Sequence, residues 1–133
     1  MSIENVNVVR EAYAAFGRGD MPTVLGLLEP EVEWIESDLP EIPTHGTFRG
    51  PQAVLTGVFA TVPEYWTEFA LTPEQFLDAG DHVVVTGRLR ATAKATGRNM
   101  DAPFAHVFEL RRGKVARMVN YHDTARWIRT LGR

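Results

Sequence analysis

The chain has 133 residues, of which 44% are hydrophobic and 23% are charged, enough for one domain with a sizeable core. Its net charge of −3 gives no sign of a nucleic-acid or membrane-surface partner. It has no cysteine, which excludes disulfides, thiolate catalysis and cysteine-ligated zinc. The polar N-terminus is unlike a signal peptide and no apolar run is long enough to span a membrane, so we expect a cytoplasmic protein.

The first half of the chain has the apolar spacing of three helices and one strand. Residues 6–16 carry apolar side chains at helical spacing and end at a glycine, and Asp20 can cap a second helix. Residues 31–36 alternate as a strand, and a loop rich in proline and glycine follows, with His45 in it. Pro51 suits the first turn of a third helix.

In the second half the apolar residues alternate, as in strands. Two short strand candidates flank Pro73, and three longer strands follow, at residues 82–96, 104–110 and 115–122. Asp123 is placed to cap a closing helix. Helices first and a meander of strands afterwards predict a segregated α+β fold. We expect the helices to cover one face of a curved antiparallel sheet, with a pocket between the two layers.

Strand alternation places several polar side chains on the face of the sheet that should be buried. His106 shares its face with Phe104, and Asn120 shares its face with Met118 and His122. A few polar groups on an otherwise apolar concave face are typical of a small-molecule site. The alternative is structural, because a buried imidazole or amide must find hydrogen-bond partners within the core.

Four segments, together with the order of the elements, carry a resemblance to a known family. They are Gly19-Asp20, His45-Gly-Thr-Phe-Arg-Gly-Pro51, Thr96-Gly-Arg98 and residues 104–123. The chain resembles the NTF2-like superfamily, in particular its SnoaL-like and ketosteroid-isomerase-like branch, over nearly all of one domain, residues 1–133. The resemblance implies a cone-shaped fold around a cavity and a homodimer formed by paired sheets. It does not imply one chemistry, because the function inside such cavities varies.

The catalytic positions of known relatives are only partly retained. The resemblance places the general base of ketosteroid isomerases on Trp34, their oxyanion-hole aspartate on His106, and their tyrosine near Tyr13. It matches the histidine of SnoaL-like polyketide cyclases to His106, but their aspartate to Asn120. The Asp-Arg-Asp arrangement of limonene epoxide hydrolases is not retained either. None of the three mechanisms transfers intact.

Three residues are candidates for catalysis. His106 would be a general acid or base, Asn120 would polarise a carbonyl group, and Glu36 is a second candidate base. Glu36 either points inward, where burial would raise its pKa, or lies solvated at the end of its strand. The candidate ligand-binding residues would form the walls and mouth of the pocket: Tyr13, Trp34, His45, Phe59, Phe104, Met118 and His122. The histidines lack ligand-type spacing, so we expect neither a metal nor a cofactor.

Two functions compete on this evidence. The first is an enzyme that transfers protons on a small, largely apolar ligand such as a polyketide, terpenoid or steroid-like ketone, in isomerase, cyclase or hydrolase chemistry. The second is a non-catalytic module that binds a small hydrophobic molecule. It is favoured because the catalytic carboxylates of the known relatives are not retained. A purely structural dimerisation domain would instead have its pocket filled by side chains. The expected partners are a small hydrophobic molecule and a second copy of the chain, with no nucleic acid and no membrane.

Overall fold

The computed structural model describes residues 2–133, which form five helices and six strands. The helices are α1 (Ile3–Gly17), α2 (Met21–Gly26), α3 (Pro51–Val54), α4 (Val62–Tyr65) and α5 (Thr124–Leu131). The strands are β1 (Leu28–Ile35), β2 (Thr47–Arg49), β3 (Trp66–Ala79), β4 (His82–Ala93), β5 (Asn99–Arg111) and β6 (Lys114–His122). A π-helical turn, Leu55–Phe59, continues α3.

Two predicted helix caps are confirmed. The Asp20 carboxylate accepts hydrogen bonds from the backbone N–H and the hydroxyl of Thr23, at 3.2 and 2.6 Å. The Asp123 carboxylate accepts from the backbone N–H of Arg126 at 3.1 Å. Each cap satisfies an N–H group that the first turn of its helix leaves without a partner. Asp123 therefore fixes the point at which the chain leaves β6 and enters α5.

The six strands form one open sheet in the order β2-β1-β6-β5-β4-β3. Four of the five pairings are antiparallel, and the fifth, between β1 and β6, is parallel. The α+β fold class is thus confirmed, but the expectation of a purely antiparallel sheet is wrong: the sheet is mixed because the last strand returns beside the first and runs parallel to it. This parallel pairing brings residues from opposite ends of the chain next to each other.

Strand β3 is longer than the sequence predicts. The two short candidates are one continuous strand of 14 residues that runs through Pro73. Because β3 lies at the edge of the sheet and pairs only with β4, it can carry a proline that donates no hydrogen bond. The register of the pairing shifts between Pro73 and Gln75, so the ladder is irregular at that point.

The apolar core lies between the helices and one face of the sheet. On β4 the predicted alternation is confirmed, since Val83, Val85 and Leu89 are all buried. Val9 of α1 is buried, as is Met118 of β6. Within residues 2–133, no helix has the length and apolar character needed to cross a membrane.

Candidate functional site

A buried carboxylate lies at the end of β1. Glu36 is 7% exposed, and its two oxygens accept hydrogen bonds from the Trp34 indole N–H at 2.8 Å and the Asn120 amide N–H at 2.9 Å. Trp34 shares its face because the two residues are two positions apart. Asn120 is adjacent because β1 and β6 are parallel, with Ile35 opposite Val119. Glu36 therefore points inward, which the sequence left open.

The surroundings of Glu36 change its acidity. Burial raises the pKa of Glu36 from 4.5 to about 7, and the hydrogen bonds from Asn120 and Trp34 act in the opposite direction. Near neutral pH both the acid and the carboxylate are then populated. A group in this condition can both accept and release a proton at low cost.

The imidazole of His106 on β5 is held by Tyr13 of the first helix. The Tyr13 hydroxyl of α1 is hydrogen-bonded to Nδ1 of His106. Burial raises the pKa of Tyr13, so the hydroxyl keeps its proton and donates it in this bond. We therefore assign the proton of the neutral imidazole to Nε2. Phe104 stacks on the ring at a centroid distance of 4.3 Å, and Asn120 lies directly across the strand pair.

His106 is a neutral group at physiological pH. Burial lowers the pKa of His106 from 6.5 to about 3. The nearby His122 lowers this pKa further, and the side chain of Asn120 raises it. The imidazole is thus suited to donate a hydrogen bond through Nε2 and poorly suited to exchange protons near neutrality. This differs from the sequence-based hypothesis, which gave His106 the acid–base role and Glu36 the second place.

Several buried polar atoms near Glu36 and His106, on β6 and α5, have no hydrogen-bond partner. Within residues 2–133, no hydrogen bond is made by Oδ1 of Asn120, by either ring nitrogen of His122, or by Nε1 of Trp127. The rings of His122 and Trp127 meet edge to face with centroids 4.6 Å apart. Burial lowers the pKa of His122 to about 4, and Asp123 acts in the opposite direction, so the ring is neutral at pH 7.

These groups line one pocket of about 90 Å³ between the helices and the sheet. Six of the predicted ligand-binding residues are among its lining: Tyr13, Trp34, Phe59, Phe104, Met118 and His122. His45 is not, because it is exposed and its Nδ1 lies 2.6 Å from the carbonyl oxygen of Ile42. Thr44 lines the pocket in its place, as does Trp127 of α5. The helical spacing of Trp127 and Leu131 is the sequence signal for an inward-facing Trp127.

The volume of the pocket limits what it can hold. An apolar cavity of roughly 150 Å³ binds benzene, and this pocket is smaller. A single-ring ligand fits only if lining side chains shift, and a larger ligand requires the pocket to open. Within the described chain, residues 2–133, no three His, Asp or Glu side chains are grouped as metal ligands.

The depressed pKa of His122 gives a prediction for stability. Its folded value of about 4 lies below the unfolded value of 6.5, so the native state binds fewer protons between these values and loses stability as pH falls through them. We expect the unfolding free energy of the wild type, relative to His122→Phe, to fall by about 2 kcal/mol from pH 7 to about pH 4.5. Urea unfolding at both pH values measures this. An unchanged difference would mean that His122 titrates normally.

Comparisons with known proteins agree on the fold. The sequence profile of the SnoaL-like domain matches residues 9–118. An NTF2-like protein from Burkholderia pseudomallei K96243 is 35% identical over 100% of both chains, with a TM-score of 0.92. TerC, co-crystallised with polyporic acid, is 27% identical over 98% of this chain and 99% of its own, with a TM-score of 0.89. A putative SnoaL-like polyketide cyclase from Jannaschia sp. CCS1 shares the fold at 20% identity, covering 96% of this chain and 91% of its own (TM-score 0.83). No curated protein matches the chain.

Proposed function

The chain belongs to the SnoaL-like domain family, and on that premise we propose that it binds a small, largely apolar carbonyl compound and transfers a proton on it. One observation supports this proposal above the others. Among the described residues that line the pocket, Glu36 is the only carboxylate, and it shares with the neutral imidazole of His106 a pocket whose walls are otherwise mostly apolar. That combination is suited to moving a proton next to a carbonyl group.

The proposed chemistry assigns one task to each polar group. The Glu36 carboxylate removes a proton from the carbon next to the carbonyl. The electron pair of that C–H bond forms the C=C bond of an enolate, and the π pair of the C=O bond moves onto the carbonyl oxygen. His106 donates a hydrogen bond from Nε2–H to the oxygen as the negative charge develops and keeps its proton, while Tyr13 holds the ring in the required tautomer. Glu36 then returns the proton to carbon. Asn120 uses its N–H to orient Glu36, so its contribution is positioning.

A non-catalytic binding module remains the second candidate, and one observation favours it. Both oxygens of Glu36 already accept hydrogen bonds from protein groups, which is the arrangement of a buried structural carboxylate. On this alternative, ligands enter the pocket and leave unchanged. TerC, the 27% identical protein co-crystallised with polyporic acid, is compatible with either function.

The two candidates are separated by following cyclohexanone in D₂O by ¹H NMR. The proposed enzyme exchanges the protons next to the carbonyl for deuterium at least about a hundredfold faster than buffer at neutral pD. Binding is followed in parallel through the indole N–H signals. If cyclohexanone binds but its protons do not exchange, the non-catalytic binding module is the correct candidate. If cyclohexanone neither binds nor exchanges its protons, the proposal is refuted. Tyr121→Phe, exposed on the outer face of β6, is the matched control and should behave as the wild type.

A further inference from the structure

We infer that the pocket contains a second polar subsite, formed by His122 and Trp127, which binds a hydroxyl group of the ligand away from Glu36. The inference rests on the proposed function, because it takes the occupant of the pocket to be a small carbonyl compound. It adds a requirement on the ligand: a second oxygen, on the side of the apolar body opposite the carbonyl group.

The subsite is separate from the Glu36 network. His122 follows Asn120 by two residues on the same face of β6, so its Cα is about 7 Å farther along the strand. Across the strand pair, Asn120 is opposite His106, while His122 is opposite Phe104. His122 thus lies toward α5, where its neighbour is the indole of Trp127. Both sets of residues line the same pocket, so a ligand that fills it contacts both.

The polar atoms of this subsite have no partner in the protein. Both ring nitrogens of His122 and Nε1 of Trp127 are buried without a hydrogen bond in the described part of the chain. Leaving such a group unpaired costs roughly 1–3 kcal/mol, and buried polar atoms are rarely left in this state. The aromatic surroundings supply no partner, since Trp127 packs against Trp66 and Phe69. A group from outside the chain is therefore needed.

The hydrogen-bonding capacity of the subsite selects the group. A neutral imidazole presents one donor and one acceptor, and an indole presents one donor only. A hydroxyl group can donate to the bare nitrogen of His122 and accept from the Trp127 N–H. A carbonyl oxygen can only accept, so it can pair with the N–H groups of Trp127 and His122 but never with the bare nitrogen of His122. A hydroxyl group is the one that uses this nitrogen, and it leaves the His122 N–H without a partner. A carboxylate has the same limit as a carbonyl oxygen and carries a large desolvation cost in addition.

The test compares cyclohexanone with 4-hydroxycyclohexanone, which differ by one hydroxyl group opposite the carbonyl. Dissociation constants are measured by NMR titration of the wild type, His122→Phe and Trp127→Phe. We expect the wild type to bind the hydroxylated compound about tenfold more tightly, and His122→Phe to bind both equally. Trp127→Phe, which removes one donor, should retain only about a threefold preference. The Trp127 indole N–H should shift with the hydroxylated compound alone, whereas the Trp34 signal should respond to both.

The outcomes distinguish the subsite from the proposed function. In a pocket without a partner for the hydroxyl, its desolvation makes the hydroxylated compound the weaker ligand. Equal or weaker binding of 4-hydroxycyclohexanone by the wild type would therefore overturn the inference, while cyclohexanone binding would keep the proposed function. A preference retained in both variants would also overturn it. If neither compound binds, the proposed function fails and the subsite fails with it. Urea unfolding of His122→Phe and Trp127→Phe, compared with the wild type, verifies that each variant is folded.

Discussion

Replacing Glu36 with glutamine is expected to lower the rate of deuterium exchange into cyclohexanone by at least about a hundredfold, the usual contribution of a positioned general base. Glutamine keeps the shape of the side chain and can still accept from the Trp34 N–H. The amide group of Asn120 can rotate so that Oδ1, which is otherwise unpartnered, faces position 36. The glutamine N–H can then donate to it. The affinity for cyclohexanone should therefore stay within about threefold of the wild type, because only the proton acceptor is lost.

The same carboxylate should set the pH dependence of the reaction. A carboxyl group acts as a base only when ionised, so the exchange rate should rise with pH through about 7 and level off above it. Trp34→Phe removes a hydrogen bond that favours the ionised form, and the midpoint should then move to higher pH. If the exchange rate of the wild type instead has its midpoint near pH 4.5, the reacting group is a carboxyl in water and not the buried Glu36.

A matched control for Glu36→Gln is available on the same strand. Glu33 lies on the opposite face of β1 and forms ion pairs with Arg49 and Arg117 at 2.7 and 3.1 Å. Glu33→Gln removes an equal charge outside the pocket, so its exchange rate should equal that of the wild type. Equal losses in both variants would show that net charge, and not the buried carboxylate, governs the rate.

The sequence predicted the site best where strand alternation alone decides the direction of a side chain. His106, Asn120 and Trp34 lie on regular strands, and their inward placement follows from a period of two. Alternation puts Glu36 on the face of Trp34, but Glu36 lies beyond the last residue of β1, before a proline-containing loop, so the sequence left open whether the strand geometry extends to it. Its direction is set by the parallel contact with β6, which joins residues 84 positions apart. Such a pairing is not visible in any local pattern.

The roles of the residues were harder to predict than their positions. The proton assignment of His106 depends on Tyr13, which lies 93 residues away on another element. Its low pKa depends on burial, which is a property of the assembled core. His45 illustrates the opposite problem: a loop side chain has no periodic constraint, and here a carbonyl oxygen of its own loop holds it outside the pocket.

Replacing Gly87 with alanine is expected to destabilise the protein by about 3 kcal/mol, at the upper end of typical overpacking costs. A Cβ atom at this position would lie 2.3 Å from the carbonyl oxygen of Thr72 and 2.9 Å from Cα of Pro73. Both atoms belong to the backbone of β3, so no side-chain rotation can relieve the contact. Urea unfolding followed by tryptophan fluorescence measures the loss. Gly17→Ala is the matched control, because nothing lies within 4 Å of its added Cβ, and it should be neutral or slightly stabilising.

Gly87→Ala should also change the pocket, because the edge strand β3 that it displaces supplies part of the pocket lining. Pro73 is the partner of Gly87 in the strand pairing, next to the register shift in β3. The same strand contributes Phe69 and Leu71 to the pocket lining. An added methyl group must push β3 outward or displace Phe104, whose ring atom Cζ would lie 2.8 Å from the new Cβ. We therefore expect weaker cyclohexanone binding in Gly87→Ala. Unchanged affinity together with a stability within about 1 kcal/mol of the wild type would contradict this close approach of β3 to β4.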